Sequence, residues 1–179
     1  MTNETNVTDE LEPVKAMTLA QFTEPRLLVP RLLSNHREGA MIELSRRLAS
    51  AGRIESADSF VDAALDHESI ASAVFDGVTF SLARGRAVKE LSFAAGCSRQ
   101  GISWGVGRSP VVHTVVLFAV PLSETRTYLS LVLTFSSFIK NEMAFTAFAH
   151  ATQPEEMFTL LKAVRLMRLT AQPQPAAAG

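Results

Sequence analysis

The segment His67–Arg84 has the sequence His-Glu-Ser-Ile-Ala-Ser-Ala-Val-Phe-Asp-Gly-Val-Thr-Phe-Ser-Leu-Ala-Arg, and it joins a helical pattern to a strand. From Val78 onward, large apolar residues alternate with small or hydroxyl-bearing ones. This period of two predicts a short strand with one apolar face. We therefore expect Leu82 to be buried on that face and Ser81 to point to the opposite face. Gly77, directly before the strand, suits a turn or a close backbone approach.

The length and composition indicate one globular domain. A chain of 179 residues can bury a proper core, and the hydrophobic (47%) and charged (20%) fractions are those of a folded protein. We assign residues 17–168 to this domain and residues 1–16 and 169–179 to flexible tails. A formal net charge of -1 gives no reason to expect nucleic acid or an anionic membrane as a partner.

The cysteine content and the start of the chain bear on location and metal binding. Cys97 is the only cysteine, which excludes an internal disulfide and a cysteine-based zinc site. No metal or cofactor site is predicted. Residues 1–15 are polar and acidic and lack the features of a secretory signal, and no apolar run is long enough to span a membrane. We therefore expect a cytoplasmic protein without membrane insertion.

Apolar periodicity elsewhere predicts further strands and helices. The other predicted strands are Arg26–Leu33, Leu91–Cys97 and Val111–Val120. Pro30 would confine the first to a sheet edge or lie at its end, and we expect the last to be buried on both faces. Helical spacing or capping residues predict helices around Met41–Leu48, after Ser56, over Glu124–Ile139, after Asn141 and after Thr152–Glu155. Strands interleaved with helices predict an α/β fold, a three-layer sandwich with a mixed sheet of about five strands between helices.

Several single residues have structural interpretations. Cys97, in an alternating run, is predicted to be a small core residue. His113, inside the Val111–Val120 strand, is predicted to be a hydrogen-bonded structural histidine. Trp104, within Gly-Ile-Ser-Trp-Gly, is interpreted as an aromatic that anchors a turn.

The segment His67–Arg84 also resembles the enzyme IIA domains of the fructose/mannitol type in the bacterial phosphotransferase system, including their nitrogen-regulatory branch. That family has an Arg-Glu pair, a Ser/Thr, a Gly-x-Gly-Asn-Gly-like turn and then Pro-His-Ala-Arg. With one residue of slack, the matching positions are His67-Glu68, Ser72, residues 73–77 and Ser81-Leu82-Ala83-Arg84. Further matches at residues 101–105, 118–121 and 128–129 extend the similarity from Leu19 to Val164. The resemblance implies the family's three-layer fold.

The departures from the family pattern fall where its chemistry takes place. Leu82 stands at the position of the phosphorylated histidine, and Tyr128 at that of a second active-site histidine. Ser81 replaces the family's proline, and His67 its arginine; Glu68, Ser72, Gly77 and Arg84 keep the pattern's character. Leucine has no lone pair that could accept a phosphoryl group, so the resemblance implies a degenerate site.

Three functions remain open on these observations. The leading hypothesis is an enzyme IIA-like protein that has lost the phosphoacceptor histidine, is not an enzyme, and acts as a regulatory protein-binding module. Its partner would be a phosphocarrier protein, a transporter or a kinase, bound through Arg84 and Arg86. One alternative is a working phosphocarrier in sugar or nitrogen-related phosphotransfer that uses another residue. The other is an unrelated small enzyme with a pocket formed by His67, Glu68, Ser81 and Tyr128.

Overall fold

The computed structural model describes residues 16–70, 74–105 and 110–169, except for the side chains of residues 69 and 70. The predicted tails, 1–16 and 169–179, lie outside these ranges apart from residues 16 and 169. The strands are β1 (Leu28–Val29), β2 (Val74–Phe75), β3 (Val78–Arg84), β4 (Ser92–Ser103) and β5 (Val111–Val120). The helices are α1 (Arg37–Ser50), α2 (Ala57–Ile70), α3 (Thr125–Lys140), α4 (Glu142–His150) and α5 (Pro154–Lys162).

The five strands form one mixed sheet in the order β1-β4-β5-β3-β2. The pairs β1–β4 and β3–β5 are parallel, whereas β4–β5 and β2–β3 are antiparallel. β5 is the central strand, and its residues from Thr114 to Val120 are all buried. The near-continuous apolar sequence of β5 follows from this position, since helices cover both faces of the sheet.

Two apolar clusters, one on each face of the sheet, form the core. One joins the sheet to α3, α4 and α5, and Phe93 and Phe135 meet edge to face at its centre with ring centroids 4.9 Å apart. The other joins the sheet to α1 and α2 and contains Met41, Leu44 and Leu117. The predicted three-layer α/β sandwich with five strands is confirmed.

The helix ends follow from local chemistry. α1 begins where Gly39 N–H donates to Nδ1 of His36, and it ends before Gly52, whose φ of +72° is the conformation that stops helices. The side chain of Asn141 accepts from Ala144 N–H at the start of α4, as predicted. At α5, the capping box pairs Gln153 with Glu156, one residue later than the sequence indicated.

The predicted strand Arg26–Leu33 is wrong over most of its length. Residues Pro25–Leu27 form a 3-10 turn, and only the two residues of β1 pair with β4. Pro30 has no N–H to continue the ladder, so the chain leaves the sheet at that point. The next contact is a hydrogen bond from Leu32 N–H to the carbonyl of Cys97 (2.8 Å). The prediction that this segment lies at a sheet edge is confirmed.

Cys97 is buried in the core, as predicted, and burial raises its pKa from 9.0 to about 11. The unfolded chain loses this proton near pH 9, whereas the folded chain keeps it until about pH 11. The thiol therefore contributes stability below pH 9 that is lost between pH 9 and 11, up to about 3 kcal/mol. We expect the free energy of unfolding, measured by urea denaturation, to fall more steeply over this window in the parent than in Cys97→Ala. Equal slopes for the two proteins would contradict the assignment.

Candidate functional site

The strand β3 is anchored at its start by a two-residue turn. Asp76 (φ +48°) and Gly77 (φ +73°) connect β2 to β3, and the left-handed conformation at both positions is the one that tight hairpins require. The carbonyl of Gly77 accepts hydrogen bonds from the backbone N–H groups of His113 (2.7 Å) and Thr114 (3.1 Å). This fixes β3 in parallel register on β5, with Leu82 opposite Phe118.

Glu68 is a buried carboxylate held between two donors from other elements. Its Oε1 accepts a hydrogen bond from Trp104 Nε1–H at 2.7 Å, and its Oε2 accepts one from Ser81 Oγ–H at 2.8 Å. All three side chains are buried, and Glu68 itself is only 2% exposed. Short bonds of this kind offset the cost of removing the carboxylate from water. The Glu68–Ser81–Trp104 cluster thus joins α2, β3 and the end of β4.

Leu82 and Tyr128 lie on the other face of the sheet. Both are half-buried and pack against the apolar cluster beneath α3. The ring of Phe118, which is opposite Leu82 in the sheet, meets the Tyr128 ring edge to face at 5.3 Å between centroids. Burial raises the pKa of the Tyr128 phenol, so the hydroxyl keeps its proton at neutral pH.

Leu82 was expected to be buried and is only half-buried, whereas its predicted direction opposite to Ser81 agrees with the contacts of the two side chains. Alternation along β3 sends Ser81 to α2 and Leu82 to the α3 side. The hydroxyl-bearing face of β3 is the more deeply buried one, because Ser81 donates a hydrogen bond to Glu68 there. The opposite face reaches the surface at Leu82.

The residues proposed for a common pocket are not brought together. Glu68 and Ser81 are in contact, but Tyr128 lies across the sheet from them. His67 is exposed in the last turn of α2. Ser72 lies outside the described residues. The Tyr128 hydroxyl forms no hydrogen bond with any described residue.

The basic residues after β3 are exposed, and one of them is fixed in place. Arg84 donates through Nη2 to the carbonyl of Leu122 at 2.7 Å, which ties the end of β3 to the turn before α3. Arg86 and Lys89 extend into solvent nearby in sequence. A cavity beside Arg84 has a volume of about 80 Å³, which is small for a ligand site.

Two exposed leucines complete this edge of the sheet. Leu122 is 49% exposed and Leu129 is 47% exposed. Leu122 carries the carbonyl that accepts from Arg84, and Leu129 follows Tyr128 at the start of α3. We call Leu82, Arg84, Leu122, Tyr128 and Leu129 the β3–α3 surface. It combines a positioned cation with partly exposed apolar side chains.

Trp104 was interpreted from the sequence only as a turn anchor, and its role as a partner of the buried carboxylate was missed. Its indole N–H can only donate, and a buried indole nearly always finds an acceptor. Two features of the sequence could therefore have indicated this contact. One is the need of a buried indole N–H for an acceptor, and the other is an acidic residue at the end of an otherwise apolar helix face. The sequence does not show which carboxylate the indole meets.

The described residues contain neither a metal-binding group nor a membrane-spanning helix. No group of three or more His, Cys, Asp or Glu side chains is arranged to hold a metal ion within these ranges. Among the helices described, none combines the length and apolar character required to cross a bilayer.

Comparison with known proteins places the fold. A family profile described as phosphoenolpyruvate-dependent sugar phosphotransferase system, EIIA 2, matches residues 21–164. The 2-O-alpha-mannosyl-D-glycerate-specific EIIABC component of Escherichia coli is 28% identical over 148 residues, which are 81% of this chain and 22% of that protein. This chain thus spans about a fifth of the length of that curated relative.

Solved structures agree with the family match. The nitrogen regulatory protein IIA-Ntr from Neisseria meningitidis superimposes with a TM-score of 0.71 at 14% identity, covering 80% of this chain and 98% of that one. The mannitol enzyme IIA of Escherichia coli, solved in complex with phosphorylated enzyme IIB, gives a TM-score of 0.66 at 17% identity, covering 78% and 96%. At these identities the superpositions show the fold alone.

The profile match over most of the chain shows the family, and the chain therefore belongs to the EIIA 2 family of the phosphoenolpyruvate-dependent sugar phosphotransferase system.

Proposed function

We propose that this chain is a regulatory EIIA-type module that binds another protein and does not carry a phosphoryl group at residue 82. The observation that carries this proposal is the packing of Leu82 and Tyr128 beside Phe118 on the β3–α3 surface. A leucine side chain has no lone pair, and the Tyr128 phenol keeps its proton at neutral pH. Neither side chain supplies the imidazole nitrogen that the family uses.

The β3–α3 surface has the character of a protein-docking site. Interfaces favour aromatic side chains and arginine at their centre, surrounded by partly apolar surface. Here Tyr128 and Arg84 lie among exposed leucines, and the bond from Arg84 to the Leu122 carbonyl limits the entropy lost when the arginine meets a partner. Arg86 adds a second cation in solvent near this edge.

The proposed partner is a protein of the phosphotransferase system in the cytoplasm. A structural neighbour, the mannitol enzyme IIA, was solved in complex with phosphorylated enzyme IIB. Another neighbour is named a nitrogen regulatory protein. By analogy, this chain binds the histidine-containing phosphocarrier protein, a transporter component or a kinase. Because residue 82 cannot change its phosphorylation state, the module stays in the unphosphorylated-like state.

A second candidate is a phosphocarrier that uses His67. This histidine is exposed, and it directly precedes Glu68, whose carboxylate contacts Ser81 next to Leu82. His67 lies on α2, however, and the Leu82 side chain faces the opposite layer. The position of His67 on α2 favours the binding module over the carrier.

Replacement of Arg84 by glutamate tests the docking surface. We expect Arg84→Glu to weaken binding of the unphosphorylated phosphocarrier protein by about tenfold or more in isothermal titration calorimetry, because the change reverses a charge at the interface. Arg46→Glu, an equal charge change at an exposed position on α1, serves as the matched control and should change the affinity by about twofold at most. The same pair of variants can be titrated with a soluble enzyme IIB. Equal losses in both variants would show that only net charge matters and would contradict the assigned surface.

A further inference from the structure

A basic cleft lies at the end of the sheet remote from the β3–α3 surface. Arg31 and Arg99 both line two adjoining cavities, with volumes of about 490 Å³ and 210 Å³. β3 is seven residues long, so the two ends of the sheet are separated by roughly 20 Å at about 3.3 Å per residue. Arg84 lies at one end of this distance, and the register places Arg99 beyond the other. The cleft is therefore separate from the proposed docking site.

Arg99 lines the cleft at a point where β4 is irregular. Cys97 pairs with Thr114 and Ile102 with Val112, so residues 98–101 of β4 lie opposite the single residue His113. Gly101 adopts a φ of +82°, and a Cβ there would collide with a methyl carbon of Val111. A ring nitrogen of His113, Nδ1, lies 3.0 Å from the Ser98 carbonyl and holds the bulge against β5. Bulges of this kind direct side chains and are frequent next to binding sites.

The opposite wall of the cleft is fixed to the same strand. The hydrogen bond from Leu32 N–H to the Cys97 carbonyl joins the segment after β1 to β4 just before the bulge. Arg31 precedes this bond by one residue. Both arginines are thus positioned by backbone contacts to the same part of β4.

The guanidinium charges of Arg31 and Arg99 have no direct partner among the described residues. Neither side chain forms an ion pair or a hydrogen bond with any of them, and both are exposed. No acidic residue lines either cavity, but Glu43 and Glu156 accept hydrogen bonds from the lining residues Leu33 and Thr152. Arg31 and Arg99 line the same two cavities, and each guanidinium group carries N–H donors in a planar array that matches the oxygens of a phosphate group. A dianion would relieve the repulsion between the two arginines.

The remaining lining indicates the rest of the ligand. Asn35 and Gln100 supply donors and acceptors for hydroxyl groups, and Leu32 and Leu33 add apolar surface. The Ser34 hydroxyl, which donates to the His36 carbonyl, can add only an acceptor. The larger cavity falls within the usual range for small-molecule sites, about 300–1,000 Å³. We propose that this cleft binds a small phosphate monoester with a hydroxylated body, such as a phosphorylated sugar. The inference is independent of whether residue 82 takes part in phosphoryl transfer.

The test compares three ligands on the full chain labelled with ¹⁵N: glucose 6-phosphate, inorganic phosphate and glucose. We expect glucose 6-phosphate to shift the amide resonances of Ser34, Asn35 and Gln100, and glucose to shift none of them. Inorganic phosphate should bind about tenfold more weakly than the ester, since it lacks the hydroxylated body. Equal affinity for glucose 6-phosphate and inorganic phosphate would overturn the proposed contribution of the hydroxylated body. The absence of any shift up to millimolar ligand would overturn the site itself.

Arginine variants identify the anion-binding groups. Arg31→Gln and Arg99→Gln should each weaken glucose 6-phosphate binding by about tenfold or more, because each removes a charge-assisted pair with the phosphate. The matched control is Arg46→Gln, which should change the affinity by about twofold at most. Circular dichroism melting verifies that each variant is folded. Equal losses in Arg46→Gln and Arg99→Gln, or tighter binding of a tetraglutamate peptide than of glucose 6-phosphate, would overturn the proposal.

Discussion

Glu68→Ala is expected to lower the free energy of unfolding by about 3–5 kcal/mol. The substitution removes the carboxylate that accepts from Trp104 Nε1–H and Ser81 Oγ–H, and both donors are buried. Each would then lose its partner without gaining water, and the missing side chain would leave a cavity between α2 and β3. The loss is large because the cluster joins three elements that are far apart in sequence.

Urea denaturation, followed by circular dichroism and by the fluorescence of the single tryptophan, measures this effect. Asp62→Ala is the matched control, since Asp62 is an exposed acid on the same helix, and it should change stability by about 0.5 kcal/mol at most. Glu68→Gln keeps one acceptor oxygen, so its free energy of unfolding should lie between those of Glu68→Ala and Asp62→Ala. A Glu68→Ala protein as stable as Asp62→Ala would show that the cluster is open to water and would contradict the described contacts.

Local signals were sufficient to predict most of the fold. The central strand β5 was recognisable because its apolar run is continuous, and α3 because its apolar stripe repeats at helical spacing. Gly77 is predicted to serve a turn or a close backbone approach, and the structure shows the turn: its φ is +73°, whereas a Cβ there would have only ordinary contacts, at 3.6 Å or more. The length of β1 was overestimated from the sequence. The apolar composition of this run suits a strand, but prolines interrupt it and only two residues remain in the sheet.

The site was less predictable because its contacts are long-range. Trp104 lies 36 residues from Glu68, and nothing in the spacing of either residue indicates that they meet. The alternation in β3 did predict opposite directions for Ser81 and Leu82, but it did not predict which face would be covered more completely. That depends on the packing of α2 against β3, which local periodicity does not determine.

The second large effect concerns phosphoryl transfer. We expect the protein to take no acid-labile phosphate from the phosphorylated phosphocarrier protein. Transfer to a side chain needs a nucleophile at the surface where the donor docks, and on the docking surface that we propose Leu82 offers only methyl groups. Ser81 is no substitute, because it is fully buried and donates its hydrogen bond to Glu68 on the far side of the strand.

The chain's four histidines, all described, contribute no side chain to the β3–α3 surface. His36 caps α1, and His150 ends α4 with its Nδ1 3.0 Å from the Thr146 carbonyl. His113 lies at the opposite end of the sheet, beside the β4 bulge. His67 is exposed on α2, and it is the histidine that the competing carrier hypothesis requires.

Incubation with radiolabelled phosphoenolpyruvate, enzyme I and the phosphocarrier protein tests the central claim most directly. Parent and His67→Ala are run together, with an intact mannitol enzyme IIA as the positive control. The account predicts label on the control protein and none on either form of this chain. Acid-labile label on the parent that disappears in His67→Ala would contradict the account and assign phosphoryl transfer to His67.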